Sequence, residues 1–340
     1  MDWLAAVSGW AKLDRPAGGE ESVRRALTAQ LCSEAVRWQT DPAGNLLLCS
    51  GPGEMPVALV AGMDEPGVSV TAYDDDGFGR LGPRGALTPA SLVGARLRFA
   101  DGSHGVIGLE PSDSGESKPT WDRLYLDLGH TRRQAAEAAL PLGSAGVLDA
   151  EVRVLGSGQL CGRALGTAAA LAVIVAALRD ARGPWGAVFV AQSQLGGRGI
   201  PAAFDRQPAE MLIGVGPAAA TDTPKARGAV VRLGGGPVLI VQDRDVVAAP
   251  AACMALREAA SRAGVALQVA SGDPGSHPVG VAARTGLGAA AAILGFPLRY
   301  AGTPAEVCAV EDLASTAAVL AALIDDRGQG EARERSSAVR

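Results

Sequence analysis

Two adjacent carboxylates interrupt a strongly apolar stretch of the chain. Residues 57–70 read VALVAGMDEPGVSV, so a run of branched apolar residues ends in Asp64 and Glu65 before it resumes. Such a run is typical of a buried strand. Because ligands bind at the carboxyl ends of strands in open α/β sheets, this pair predicts a functional cleft. The alternative is an acidic turn, in which Asp64 only accepts the hydrogen bonds that organise the loop.

Other reactive residues lack the context that their chemistry requires. Ser193 lies in Gln-Ser-Gln and not in the Gly-x-Ser-x-Gly elbow of a serine hydrolase. The triplet Gly234–Gly236 lacks the Gly-Lys-Ser/Thr ending of a phosphate loop, which favours a turn before a strand. The five cysteines form no Cys-x-x-Cys pair, so they are interpreted as buried reduced thiols.

The composition indicates a globular protein with a large core. The chain has 340 residues, of which 48% are hydrophobic, enough for two domains or for one domain with an insertion. A net charge of -5 and a pI near 5.4 offer no basic surface to nucleic acid. The longest apolar run, residues 164–178, is shorter than the roughly 20 residues that span a bilayer. No signal peptide is recognisable at the N-terminus, so we expect a cytoplasmic protein without a membrane partner.

The hydrophobic patterns divide the chain into two parts. Residues 71–160 contain short alternating runs separated by Gly, Pro, Asp and Ser, which predicts a small inserted β-domain. Residues 1–70 and 161–326 alternate strand and helix patterns, which predicts an α/β core whose mostly parallel sheet is flanked by helices. The last helix of this core is expected at residues 305–325. The charged tail at residues 327–340 has no apolar face, so it is predicted to be disordered.

The stretch that carries the acidic pair resembles a motif of the M42 family of metallo-aminopeptidases, which includes glutamyl aminopeptidase and the tetrahedral TET peptidases. The family has His-Met-Asp-Glu-x-Gly where this chain has Gly62-Met63-Asp64-Glu65-Pro66-Gly67. It also has Gly-x-Arg-Gly, found here at residues 196–199, and Arg-Tyr, found at residues 299–300. The resemblance implies a zinc-peptidase-like α/β core with an inserted small β-barrel or PDZ-like domain. In those enzymes the insertion makes subunit contacts.

The same resemblance implies five metal-ligand positions and one general base, and the chain departs from the family at all six. Glycine has no donor atom on its side chain, and glutamine is a poor ligand for Zn²⁺ or Co²⁺, so we predict that the chain holds no metal and no other cofactor. The candidate cleft residues are then Asp64, Glu65, Asp222 and the substituted positions. The ligand positions are Gly62, Gly166, Gln194, Gly216 and Gly302, and Ser193 stands at the position of the base.

Two functional hypotheses follow from the resemblance. The first is a catalytically inactive aminopeptidase-like protein, a homo-oligomer between dimer and dodecamer, that acts as a scaffold or binds a peptide, a small molecule or a partner enzyme. The second is a metal-dependent aminopeptidase or hydrolase with a non-standard or repurposed site. Metal content and an aminopeptidase assay separate the two hypotheses.

Overall fold

A computed structural model describes most of the chain. The described residues are 1–51, 55–112, 118–204, 209–226, 231–272, 275, 277–285 and 288–338, and side chains are described up to residue 327.

The core contains an eight-stranded mixed sheet with the strand order β1-β2-β12-β3-β13-β16-β14-β15. Its centre is parallel: β12 pairs with β3, β3 with β13 and β13 with β16, all in parallel register. Strand β3 is buried along almost its whole length because helices cover both faces of the sheet, which explains its continuous apolar sequence. The strands are β1 (Val36–Thr40), β2 (Leu46–Ser50), β3 (Met55–Gly62), β12 (Gly186–Val190), β13 (Ala209–Ala219), β14 (Val238–Gln242), β15 (Gln268–Ser271) and β16 (Ala290–Leu298).

The helices lie on both faces of this sheet, as the alternating sequence pattern predicts. Five of them, including the almost entirely buried central helix α4, share one hydrophobic cluster. The two short helices α5 and α7 pack on the opposite face. The helices are α1 (Trp3–Lys12), α2 (Glu21–Leu31), α3 (Arg133–Ala139, in the barrel described below), α4 (Leu165–Asp180), α5 (Ile200–Phe204), α6 (Pro250–Arg262), α7 (Val279–Ala282) and α8 (Val310–Ala338).

A closed six-stranded barrel with the order β4-β5-β8-β7-β6-β9 has its own hydrophobic core. Its strands run from Gly67 to Leu148, whereas the sequence places the inserted domain at residues 71–160. The difference arises because the alternating pattern continues in a hairpin that pairs with the core strand β17 (Glu306–Ala309) and not with the barrel. The barrel strands are β4 (Gly67–Tyr73), β5 (Gly79–Arg84), β6 (Arg96–Phe99), β7 (His104–Leu109), β8 (Leu124–Asp127) and β9 (Ala145–Leu148); the hairpin is β10 (Arg153–Leu155) and β11 (Gln159–Gly162).

The C-terminal region differs from the sequence prediction at both ends. The first residues of the expected helix at 305–325 instead form strand β17 (Glu306–Ala309), whose buried residues pair with β11. Helix α8 therefore begins only at Val310. The tail predicted to be disordered is helical as far as Ala338, and its last two residues lie outside the described residues. Ala, Arg, Glu and Gln favour helix, so a helix that is already nucleated can continue without an apolar face.

Candidate functional site

The central strands bring the predicted site residues to one edge of the sheet. Gly62 is the last residue of β3, Ser193 follows β12, and Gly216 lies in the C-terminal half of β13. Gly302 lies in the turn after β16, and Gly166 lies in the first turn of α4. Four neighbouring strands therefore converge where the sequence predicts a cleft.

The carboxylate of Asp64 is fully buried and organises the loop after β12. Its Oδ1 accepts hydrogen bonds from the Ser193 backbone N (2.8 Å) and Oγ (2.5 Å), and its Oδ2 accepts one from the Gln194 backbone N (2.9 Å). Burial raises the pKa of Asp64 to about 6, although the hydrogen bonds from Ser193 and Gln194 act in the opposite direction. Both oxygens are thus engaged within the chain.

Glu306 has a similar role beside Gly166 and Gly302, and sequence reasoning missed it. Its Oε2 accepts a hydrogen bond from the Gly166 N (2.9 Å), and its Oε1 accepts one from the Gly302 N (2.7 Å). Since α4 has no side-chain cap of its own, Glu306 satisfies N–H groups of its first turn. Burial raises the pKa of Glu306 to about 7, against the effect of these N–H donors. The available signal was a lone glutamate in the apolar segment EVCAV.

Glu65 belongs to a buried ion-pair group that includes two arginines not singled out in the sequence. Its Oε2 contacts Arg163 Nη1 at 2.7 Å, and its Oε1 accepts a hydrogen bond from the Arg15 backbone N at 3.2 Å. Both guanidinium groups are buried, and Arg15 donates to the carbonyls of Trp10 and Ala164. The carboxylate of Glu65 is therefore held by fixed positive charge from the protein itself.

Neighbouring atoms already fill the space beside the candidate glycines. A Cβ built on Gly62 would overlap the Ser193 side chain. A Cβ on Gly216 would lie 3.0 Å from the His277 ring, and one on Gly166 would lie 3.1 Å from Pro217 Cγ. No side chain could be added at these positions without moving these neighbours.

Gly302 is constrained by its backbone as well as by its neighbours. Its φ of +74° lies in the left-handed region, and a Cβ there would lie 2.5 Å from the Ala86 carbonyl oxygen in the barrel. The Ser91 hydroxyl of the barrel donates to the Gly302 carbonyl at 3.2 Å, and the Gln194 side chain lies against Gly85. The barrel segment of residues 85–91 thus borders the site directly.

The candidate Asp222 and the histidine His277, whose ring lies beside Gly216, are both engaged elsewhere. Asp222 accepts two hydrogen bonds from the Arg299 guanidinium (2.7 and 2.5 Å) and one from the Leu233 N (3.0 Å). The arginine lowers the pKa of Asp222 despite partial burial. His277 accepts a hydrogen bond from the Val279 N at its Nδ1 (3.1 Å), and burial lowers its pKa. Neither side chain is free to complete a ligand set around Asp64.

The donor chemistry at this edge does not fit a pair of transition-metal ions. A dinuclear centre needs imidazole and carboxylate ligands from several strand ends. Within the described ranges, no group of three or more His, Cys, Asp or Glu side chains is arranged to hold a metal ion. The nearby carboxylates of Asp64, Glu65 and Glu306 already accept hydrogen bonds from backbone N–H groups or arginine. None of the helices in the described residues is long and apolar enough to span a bilayer.

Comparisons with known proteins agree with this architecture. The model of the M42 glutamyl aminopeptidase family matches residues 44–319. An aminopeptidase-like protein of Acetivibrio thermocellus is 28% identical over 300 residues, which cover 87% of this chain and 90% of that protein. The solved structure of an aminopeptidase from the archaeon Desulfurococcus kamchatkensis superposes with a TM-score of 0.89 at 24% identity, covering 95% of this chain and 94% of the other. The TET1 peptidase of Pyrococcus horikoshii, which can assemble into a tetrahedron or a large octahedral shell, gives a TM-score of 0.85 at 20% identity and covers 95% and 99% of the two chains.

Proposed function

Because this chain belongs to the M42 glutamyl aminopeptidase family, we propose that it is a non-catalytic member that serves as an oligomeric scaffold or binding protein. The observation that carries the proposal is the engagement of Asp64 and Glu306. All four of their carboxylate oxygens accept hydrogen bonds from the chain's own N–H groups. A carboxylate that stabilises a loop in this way is poorly placed to bind a metal or to deprotonate water.

The filled space beside the glycines supports the scaffold form of this proposal. Ser193, Pro217 and the His277 ring lie where larger side chains at the neighbouring glycines would project. A small molecule entering the former cleft would have to displace packed atoms, which costs free energy. A partner protein or a peptide that binds the outer surface meets no such obstacle.

Self-association belongs to the same proposal. The Pyrococcus horikoshii relative assembles into closed shells, and the barrel of this chain is complete and has its own core. We expect a homo-oligomer between dimer and dodecamer. Light scattering at micromolar concentration tests this, since a mass that stays near 34.3 kDa on concentration would contradict it.

One contact favours the alternative of a repurposed enzyme. Ser193 Oγ donates to Asp64, whose pKa is raised to about 6, so a hydroxyl lies beside a carboxylate that titrates near neutral pH. A hydrolase would need this pair to be reachable by substrate, whereas both are packed against Gly62. An aminopeptidase screen with added Zn²⁺, Co²⁺ or Mn²⁺ decides between the two functions.

The expected result of that screen is no hydrolysis above background. An identically purified Asp64→Asn variant measures the contaminating peptidases, because it removes the carboxylate without changing the purification. Hydrolysis by the natural chain that this variant lacks would overturn the proposal. The single replacement Gly62→His is also expected to give no activity, since one imidazole does not make a dinuclear centre.

A further inference from the structure

The loop that joins α1 to α2, residues 13–20, contacts the barrel with two of its residues. Asp14 accepts two hydrogen bonds from the Arg98 guanidinium in β6, at 2.8 and 2.7 Å. The Ala17 carbonyl accepts one from Arg84 Nη1 in β5, at 2.8 Å. The loop is therefore attached to two strands of the barrel.

The same loop is attached to the core on its other side. Asp14 Oδ1 also accepts a hydrogen bond from Arg163 Nη2 at 2.6 Å, so two arginines from different parts of the fold share one carboxylate. Burial opposes the ionisation of Asp14, but the hydrogen bond from Arg98 and the charge of Arg163 lower its pKa overall. Glu20 Oε1 accepts a hydrogen bond from the Gln192 N at 2.8 Å, which reaches the loop that carries Ser193.

The position of the barrel decides whether the strand ends are covered. Barrel residues 85–91 lie against Gln194 and Gly302 through the Gly85 backbone, the Ala86 carbonyl and the Ser91 hydroxyl. The hydrogen bond among these contacts, from Ser91 to Gly302, joins two uncharged groups. A loop that binds both parts through charge-assisted hydrogen bonds supplies the stronger attachment.

We propose that residues 13–20 form a clamp that holds the barrel on the core, with Asp14 as the shared acceptor, so that barrel residues 85–91 keep the strand ends covered. The clamp does not depend on whether the chain is catalytic, because its acceptors Asp14 and Ala17 bind arginines and neither Asp64 nor Ser193. Loosening it would expose Gln194 and Gly302 together, without unfolding either the barrel or the core.

Hydrogen–deuterium exchange of the full-length protein tests the clamp with two matched variants. Asp14→Asn removes the charge that Arg98 and Arg163 share. Asp222→Asn is the control, because Asp222 binds Arg299 with the same two-hydrogen-bond geometry but entirely within the core. The expected result for Asp14→Asn is at least tenfold faster exchange in residues 85–92 and 192–195 together, with the barrel strands and α4 unchanged.

In the control Asp222→Asn, residues 85–92 and 192–195 are expected to exchange at the same rates as in the natural chain. Natural rates in Asp14→Asn, or an equal acceleration in both variants, would overturn the clamp. If Asp14→Asn does not fold, Arg98→Met makes the same test from the barrel side, and unchanged exchange in residues 85–92 then counts against the proposal.

Discussion

Two sets of carboxylates in this molecule are stabilised in different ways. At the strand ends, Asp64 and Glu306 are bound mainly by backbone N–H groups, and burial raises their pKa values to about 6 and about 7. At the clamp loop and at the end of the sheet, Asp14 and Asp222 are bound by arginines, which lower their pKa values. The first set joins loops within the core, where burial disfavours the ionised carboxylate. The second set forms ion pairs, which favour the ionised carboxylate. The difference indicates that Asp64 and Glu306 act as internal acceptors, since burial disfavours their ionised form more than the backbone hydrogen bonds and the charge of Arg15 favour it.

Removal of the Glu306 carboxylate is expected to have the largest effect on stability. Glu306→Ala leaves the buried N–H groups of Gly166 and Gly302 without their acceptor, which predicts a loss of about 3–5 kcal/mol in the free energy of unfolding. Equilibrium denaturant unfolding measures this. Glu137→Ala is the control and should change little, since Glu137 is only partly buried and its partner is a solvent-exposed arginine. A loss no larger than that of the control would show that Glu306 does not join these loops.

The role of Glu306 could not be predicted from the sequence, although most of the core could. The buried strand β3, the all-apolar helix α4 and the strand–helix alternation predict the core, because burial imposes those patterns directly. Glu306 was hidden because the four-residue strand β17 continues into α8, and the whole segment has a helical pattern. The pairing of β17 with β11 and the contact of Glu306 with Gly166 join distant segments of the chain, and this tertiary effect overrides local preference.

The packing of the candidate site was not predictable from its motifs. The family motifs place Gly62, Gly216 and Gly302 on or after strands and Gly166 at the start of the apolar helix, and the structure has Gly62 and Gly216 on adjacent strands and Gly166 in the first turn of α4. That Ser193 and His277 fill the adjacent space depends on side-chain directions in three dimensions. The buried arginines were missed for a similar reason, since Arg15 and Arg163 lie in segments whose burial no periodic pattern reveals.

The pH dependence of stability separates the two sets of carboxylates by sign. The folded state raises the pKa of Glu306 from its ordinary value of 4.5 to about 7. The stability gained from its protonation is therefore fully present below pH 4.5 and is lost as the pH rises through about 7. At about 1.4 kcal/mol per pKa unit, the unfolding free energy of the natural chain should fall by up to about 3 kcal/mol relative to Glu306→Gln across this window. Asp222 behaves oppositely, because its contribution is present above pH 3.8 and is lost only at lower pH. Denaturant unfolding from pH 4 to 8 checks the Glu306 prediction, and parallel curves for the natural chain and Glu306→Gln would contradict it.

A smaller effect is expected from two alanine substitutions that differ only in their surroundings. Gly302 and Gly196 both have left-handed backbone conformations, with φ of +74° and +79°. A Cβ on Gly302 would lie 2.5 Å from the Ala86 carbonyl oxygen, whereas a Cβ on Gly196 meets nothing within 4 Å. Both substitutions carry the conformational cost of about 1–2 kcal/mol, and Gly302→Ala should lose about 2 kcal/mol more because the barrel segment must move. Equal losses in thermal or denaturant unfolding would show that the barrel does not press on this turn.

The most direct test of the non-catalytic account is the metal content of the purified protein, which is expected to be negligible. The glycines at positions 62, 166, 216 and 302 offer no ligand atoms, and the carboxylates beside them are engaged within the chain. Elemental analysis should therefore find far less than one Zn, Co or Mn ion per chain after dialysis against each metal, and calorimetric titration should give no saturable heat. Two tightly held ions per chain, lost from Asp64→Asn, would contradict the account and restore the metallo-aminopeptidase interpretation.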